Sequence, residues 1–245
     1  MAKQSLKDRL KNKRKALKES GSGNLIFIKA DTTIRVRVLP VGEEEEFVKE
    51  VTHFYLGGTI KGVFSPATFG DPCAIMESYH ELKDGDSDDK ELAKQIIPKT
   101  KYLMPVVLYD DLKGTKINKD RSGRLVQLTK GLYQSILDLY LDDDEWGDMT
   151  DPKNGFDLKL SREGSGMTDT EYSVKPCKNT PLAKEWRKEI DLEGMVKKII
   201  PSYEETEEKI SEFLGLEKTP LDDLPTKKKS SSTGKKKKRK KKDIG

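Results

Sequence analysis

The residues with the clearest chemical potential lie in one stretch, from Thr32 to Gly58. Arg35 and Arg37 alternate with three aliphatic residues, which predicts a strand that buries one face and presents two guanidinium groups to solvent. After an acidic turn, a second predicted strand carries Phe54 and Tyr55. Guanidinium groups can hold phosphates and aromatic faces can stack on bases, so the pattern suits an unpaired nucleic-acid strand. The alternative is a half-buried hairpin whose arginines are merely solvated.

Further candidates of the same two kinds lie on later predicted strands. The candidate phosphate-binding residues are Arg35, Arg37, Lys101, Lys159 and Lys175. The candidate stacking residues are Phe54, Tyr55, Tyr102, Tyr109 and Tyr172. We expect some of these aromatic residues to lie in the core, because a small β domain also needs large side chains inside.

Neither a metal site nor a catalytic site is indicated. His53, Cys73 and His80 lie near one another in the sequence, but Met76 stands where a second thiolate of a zinc site would be needed. The chain has no phosphate-cradling glycine loop with its lysine and no nucleophile elbow. We therefore expect no metal and no enzymatic activity.

Charge is strongly segregated along the 245 residues, although the net charge is only +4. Residues 1–20 carry a net charge of +6 and residues 226–245 carry +10, which leaves −12 for the residues between them. Basic segments of this density favour a polyanion such as nucleic acid as the partner. The alternative is a pair of solubilising or targeting tails.

Composition also indicates in which cellular compartment the protein is expected. No apolar run approaches the roughly 20 residues that cross a bilayer, and the basic N-terminus lacks the apolar segment of a signal peptide. Two cysteines provide no disulfide framework, which fits a reducing environment. We expect a soluble protein that is not secreted.

Pattern and composition predict four parts. The expected boundaries are a basic N-terminal arm at 1–24, a core at 25–180 with a loop-rich insertion at 57–98, an acidic helical region at 181–225 and a disordered lysine-rich tail at 226–245. Gly131–Leu141 has helical periodicity, and the segment from Ser202 to Glu205 has the form of a capping box. The acidic helix that follows either packs on the core or serves as a partner-binding appendage.

Several short motifs, in order, resemble one family. They are Thr33–Pro40, Val51–Phe54, Asp71–Cys73, Lys99–Tyr102, Tyr109–Asp110, Thr150–Leu158 and Tyr172–Pro176. Together, over about residues 25–183, they make the sequence similar to the single-stranded DNA-binding (helix-destabilising) proteins of T-even-like tailed bacteriophages. Each motif is weak alone, but their order and spacing are specific.

The resemblance implies a mainly β fold with minor α content. It is expected to be an OB-type five-stranded barrel with an inserted loop-rich subdomain, C-terminal helices and basic flexible tails. By position, Arg35, Arg37, Tyr55, Lys101 and Tyr102 would line the DNA cleft. Leu103 stands where the family can show a further aromatic residue.

The resemblance also implies partners. The basic arm would make binding cooperative by contacting another copy along the strand. The acidic region at 185–223 would recruit replication and recombination proteins. The expected location is the cytoplasm of the infected bacterial host.

The family often holds zinc through one histidine and three cysteines. This chain keeps His53 and Cys73, but Ser65 lies near the expected first thiolate and Met76 replaces the last. We therefore expect no zinc, with His53 and Cys73 as remnants of the site and a subdomain held by packing.

The function predicted from the sequence is sequence-independent, cooperative binding of single-stranded DNA that protects and unwinds DNA in phage replication, recombination and repair. The alternatives are an interaction scaffold, or an RNA- or duplex-binding protein that acts mainly through its basic tails. The lysine-rich tail could bind DNA, fold back onto the acidic body or compete with the strand for it.

Overall fold

The structure is a computed structural model that describes residues 25–215, apart from 43, 59, 143–145 and 167–168. The predictions for the basic N-terminal arm and the lysine-rich tail therefore lie outside the described residues. So does the C-terminal end of the acidic region at 185–223. None of the helices in the described ranges is long and apolar enough to cross a lipid bilayer.

Eight strands dominate the described part of the chain, so the predicted mainly β class with minor α content is confirmed. The strands are β1 (Leu25–Ile26), β2 (Thr32–Val38), β3 (Lys49–Gly57), β4 (Lys61–Phe64), β5 (Lys99–Leu108), β6 (Arg124–Leu128), β7 (Phe156–Glu163) and β8 (Glu171–Asn179). The helices are α1 (Ala74–Asp84), α2 (Ser87–Gln95), α3 (Lys130–Leu141), α4 (Leu192–Lys197) and α5 (Tyr203–Leu214). Short 3-10 turns span Pro66–Phe69 and Lys184–Trp186.

The strands form one sheet in the order β1-β6-β5-β2-β7-β8, and β3 pairs with both β5 and β4. The pairing of β1 with β6 is parallel, whereas the other pairings are antiparallel. Within the described residues this sheet is open, with β1 and β8 at the ends of the main path. The predicted OB-type five-stranded barrel is therefore not confirmed.

Strand β5 organises the sheet because it changes partner along one edge. Its first half pairs with β3, where Lys49 lies opposite Leu103, and its second half pairs with β2, where Val38 lies opposite Val106. Pro105, which has no N–H to donate, lies between the residues of β5 that pair with β3 and those that pair with β2. The carbonyl of Pro105 still accepts a hydrogen bond from the Leu39 amide, at 3.0 Å.

The main core lies on one face of the sheet under α3. It contains alternate residues of β2 and β5, such as Val36 and Met104, together with Leu132 and Ile136 of the helix. Thr129 caps α3 by accepting a hydrogen bond from the Leu132 amide, which fixes where the predicted helix begins. Residues of opposite parity on the same strands must therefore face the other side of the sheet.

The inserted segment folds as β4, α1 and α2 and packs against α5. Phe54, Ile75, Ile96 and Ile210 share one buried cluster, so the C-terminal helix covers the insertion. The predicted capping box of α5 is confirmed. Of the two alternatives left open by the sequence, the acidic helix packs on the folded body.

Candidate nucleic-acid interface

A groove of about 760 Å³ lies on the sheet face opposite the main core. Its floor comes from β3, β4, β5, β6, and from β1 with the residue that follows it, and one wall comes from the connection between α4 and α5 and from the first turns of α5. The lining residues are Leu25, Phe27, His53, Tyr55, Gly62, Val63, Phe64, Lys101, Gln127, Lys198, Ile199, Ile200, Pro201, Glu205 and Lys209. A volume of this size is typical of ligand sites in proteins.

Two aromatic side chains in the groove are exposed. Tyr55 is 56% exposed because β3 alternates, so that its neighbours Phe54 and Leu56 enter the core of the insertion. Phe27 is 49% exposed, while Ile26 and Ile28 on either side of it are buried in the main core. Exposed aromatic faces at a basic groove are the stacking platforms that unpaired bases require.

Lys101 lies on the floor of this groove. It lies opposite Val51 in the β3–β5 pair, and Lys99, two residues earlier on β5, lies opposite His53. Burial and, secondarily, the charge of Lys99 lower the pKa of Lys101. The site thus lacks negative charge to compensate Lys101, and an anion bound there would favour the charged form of this lysine.

His53 is packed beside Lys101 in its neutral form. Its ring lies over Gly62 of β4 and makes an edge contact with Phe64, at a centroid distance of 5.3 Å. Burial, followed by the charges of Lys101 and Lys99, lowers the pKa of His53 to about 4. Its Nδ1 is buried without a hydrogen-bond partner within the described part of the chain.

Positive charge prevails in the groove. Lys101, Lys198 and Lys209 line it together with one carboxylate, that of Glu205. This carboxylate accepts a hydrogen bond from the Ser202 amide at 2.9 Å, within the capping box. Among the described residues, no carboxylate lies within ion-pair distance of the three lysines.

A second cleft, at the N-terminal end of α4, has the opposite charge. It measures about 380 Å³ and is lined by five glutamates and one lysine. These charged residues are Glu44, Glu45, Glu46, Glu50, Glu193 and Lys49. A polyanion is repelled there, so electrostatics favours the lysine-lined groove as the nucleic-acid interface.

The prediction that Arg35 and Arg37 present their guanidinium groups to solvent is wrong. Arg37 is 0% exposed and donates hydrogen bonds to the carbonyls of Thr180 and Asp151, at 2.9 and 2.6 Å. Arg35 is also buried and donates to the carbonyl of Leu112. Both lie on the same sheet face as Lys101, but later loops cover that part of the face.

Asp157 of β7 is the physical reason for this burial. Its carboxylate lies 2.6 Å from the Arg35 guanidinium and 3.6 Å from that of Arg37, and it is 1% exposed. Burial lowers the pKa of Arg37, and Asp157 counteracts that effect. The carboxylate therefore compensates two guanidinium groups that could not otherwise be removed from water.

Tyr109 belongs to this buried cluster rather than to the groove. Its hydroxyl donates to Asp157 at 3.4 Å, and the Arg35 guanidinium lies 5.5 Å from its ring centroid. Burial, followed by the charge of Asp157, raises the pKa of Tyr109 to about 12. The ring is already engaged by protein groups.

Phe54 and Tyr102, which the sequence predicts as stacking platforms, are core residues, so neither ring is exposed to a base in this structure. Phe54 is 0% exposed within the cluster that joins the insertion to α5. Tyr102 is buried on the main-core face, with its ring 4.7 Å from that of Tyr133. Successive side chains of a strand point to opposite faces of the sheet. Phe54 therefore points away from the groove that its neighbour Tyr55 lines, and Tyr102 points away from the groove that Lys101 lines.

The other three predicted residues lie outside the groove. Tyr172 packs half-buried against the main core, with the Arg162 guanidinium 5.8 Å from its ring centroid. Lys159 and Lys175 lie opposite one another on β7 and β8, in the row that includes Arg35. The structure therefore brings only Tyr55 and Lys101 of the predicted set together in the groove.

A sequence profile described as gp32 DNA binding protein like matches residues 31–214, about three quarters of the chain. The chain belongs to this family. The match confirms the resemblance found in the sequence motifs, and the matched region includes most of the groove and α5. A comparison with curated proteins finds no match.

The zinc site that the gp32-like resemblance implies does not fit the residues present. Ser65 uses its hydroxyl to accept a hydrogen bond from the Ala67 amide, and Met76 offers only a thioether. Cys73 is buried in the insertion cluster. No group of three or more His, Cys, Asp or Glu side chains in the described ranges could hold a metal ion. The expected lack of zinc stays a prediction.

The groove residues that sequence reasoning missed include Phe27, Gln127, Lys198 and Lys209. A signal for Phe27 existed, because four consecutive apolar residues at 25–28 cannot all face one side of a strand. The two lysines lie in a region that was interpreted as acidic from its net charge. Net charge over a segment does not show which side chains share a surface.

Proposed function

We propose that this protein binds single-stranded DNA without sequence preference through the lysine-lined groove. The observation that carries the proposal is the placement of two exposed aromatic rings, Phe27 and Tyr55, in one groove with three lysines. Membership of the gp32-like family supports DNA as the polymer. Stacking is sequence-tolerant because every base has an aromatic face.

Each contact in such a site contributes a modest binding free energy, and the contacts together are sufficient for binding. Each productive stack on Phe27 or Tyr55 would contribute about 1–3 kcal/mol. Phosphates held by Lys101 would release counterions, so that affinity falls steeply as salt is added. Duplex DNA has its bases stacked internally and cannot use the two rings, which favours the single strand.

The finer functions remain part of this proposal. Cooperative binding would come from the basic arm at 1–24, and recruitment of replication and recombination proteins from acidic residues within 185–223. The setting would be phage DNA replication, recombination and repair in the cytoplasm of an infected bacterium. The resemblance to phage helix-destabilising proteins supports these assignments.

The test uses the full chain and two variants of the groove. Fluorescence anisotropy with labelled oligo(dT), and with a duplex of equal length, would be measured over a salt series. We expect the wild-type protein to prefer oligo(dT). We expect Phe27→Ala and Tyr55→Ala each to weaken that binding by roughly 5- to 150-fold, the equivalent of one lost stack.

The matched control replaces exposed apolar residues outside the groove. Leu112→Ala and Leu141→Ala remove exposed side chains of similar character and should leave affinity unchanged. If the groove variants bind like the wild type, the basic tails carry the binding and the proposal is wrong. Equal affinity for duplex and single strand would contradict it as well.

A further inference from the structure

The wall of the groove comes from the acidic region, for which the family resemblance implies binding of protein partners. The connection from α4 to α5 supplies Lys198, Ile199, Ile200 and Pro201, and the first turns of α5 add Glu205 and Lys209. Opposite this wall, the floor supplies Lys101 and Tyr55. Positive charge therefore comes both from the sheet and from the C-terminal helical segment.

The two lysines of this wall, Lys198 and Lys209, form no ion pair with a carboxylate of the described residues. Their neighbour Lys197, in contrast, forms an ion pair, because its ammonium lies 2.6 Å from the carboxylate of Glu193. The same ammonium lies 5.0 Å from the ring centroid of Phe69. In the described ranges, Lys198 and Lys209 lie in no such ion pair.

The wall is held by buried contacts on both sides of the lysines. Val196 and Ile199 are buried against the sheet beside Leu103, which fixes the backbone around Lys198. Ile210 is buried against the insertion, and the Thr206 hydroxyl accepts a hydrogen bond from the Ala74 amide at 3.3 Å. Lys209 is therefore presented from an anchored helix rather than from a loose tail.

We propose that Lys198 and Lys209 contact phosphates of single-stranded DNA in the groove, so that the C-terminal helical segment forms part of the nucleic-acid interface. This inference rests on the proposed function and adds two residues and one structural element to it. The pair would supply a wall of charge facing the aromatic floor. Such an arrangement suits a strand whose bases turn toward the sheet and whose phosphates turn toward the helix.

The experiment compares salt dependence in the full chain. The double variant Lys198→Gln/Lys209→Gln removes both charges and keeps side chains of similar length. We expect the plot of log affinity for oligo(dT) against log salt concentration to become shallower by about 1.4, because each lost phosphate contact on a single strand accounts for about 0.7. Unchanged thermal melting would show that both proteins are folded.

The matched control is Lys83→Gln/Lys188→Gln, which removes two exposed lysines that do not line the groove. It should keep the wild-type slope. If the groove pair and the control pair give the same slope, while Phe27→Ala and Tyr55→Ala still weaken binding, the inference is wrong and the proposed function stands. If the aromatic variants also have no effect, the proposed function itself fails.

Discussion

Arg35 and Asp157 form a buried ion pair that joins neighbouring strands, with 2.6 Å between the guanidinium and a carboxylate oxygen. The carboxylate also compensates Arg37, which has no exposed surface. This cluster contains both arginines that the sequence predicts to bind DNA. Because the cluster is buried, it contributes to the stability of the fold, and mutations can separate this contribution from DNA binding.

We predict that Asp157→Ala lowers the free energy of unfolding by about 3–5 kcal/mol, because it leaves two buried guanidinium groups uncompensated. Urea denaturation measures this loss. The control is Glu91→Ala, which removes the carboxylate of an exposed pair with Lys94 and should change stability by less than about 1 kcal/mol. A small loss for Asp157→Ala would show that the cluster is solvated and open to phosphates.

We predict that Gly62→Ala destabilises the fold by about 1–3 kcal/mol, because a Cβ at position 62 would overlap the His53 imidazole. The second variant, His53→Ala/Gly62→Ala, removes the overlapping ring. A double-mutant cycle by thermal or urea denaturation should give a favourable coupling between the two changes. Additive losses would contradict the close approach of His53 to Gly62.

We predict an acid-sensitive stability contributed by His53. Its pKa is about 4 in the folded protein, below the ordinary value of 6.5, so the unfolded chain binds more protons between these two pH values. The free energy of unfolding should therefore fall as the pH falls from about 6.5 to about 4. The slope for one proton is at most about 1.4 kcal/mol per pH unit, and it is smaller here because part of the ring remains in water.

Urea denaturation at several pH values measures this slope. The variant His53→Gln, which does not titrate in the range, should show a flatter profile between pH 6.5 and pH 4. The difference between the two profiles isolates His53 from the carboxylates that titrate in the same interval. Parallel profiles would contradict the low pKa of His53.

We predict that Ile210→Ala destabilises the insertion by about 2–4 kcal/mol, because the side chain is buried between α5 and the inserted helices. Hydrogen exchange of α1 amides should accelerate together with the global loss measured in urea. Ile97→Ala, a change of the same type at an exposed position of the insertion, should be nearly neutral. Equal effects of the two variants would show that α5 does not support the insertion.

We predict that a chelator does not change the melting temperature of the full chain. The insertion has an apolar cluster around Phe54 and Ile75, and its polar side chains do not fit zinc. Differential scanning calorimetry with and without EDTA measures the melting temperature, and elemental analysis measures zinc directly. One zinc per chain, removed by EDTA with a fall in melting temperature, would contradict the prediction.

Sequence reasoning worked best where a local pattern is sufficient. The capping box at Ser202, the helix after Thr129 and the presence of a strand at β2 are set by neighbours in the chain, and the structure confirms each of them. The family was also identified from the order of short motifs. These features need no knowledge of what packs against them.

Prediction failed where the outcome depends on distant residues. The alternation of β2 placed Arg35 and Arg37 on the face opposite the main core. Whether this face is buried depends on distant residues, namely Asp157, more than a hundred positions away, and the loops whose carbonyls accept hydrogen bonds from the two arginines. The groove has the same dependence, because Lys198 and Lys209 approach the sheet only after α4 and α5 have packed. Strand parity separates Phe54 from Tyr55, but it does not show which of the two faces is covered.

Helix α4 separates surfaces of opposite sign, since Glu193 near its start lines the acidic cleft and Lys198 just beyond its end lines the groove. A negatively charged polymer that diffuses toward the protein is thus turned away on one side and drawn in on the other, before any contact is made. The guidance extends about 10 Å at 0.1 M salt and shortens as ions are added. We therefore expect the folded body to favour one orientation of an approaching polymer, because clefts of opposite charge lie at the two ends of the same short helix.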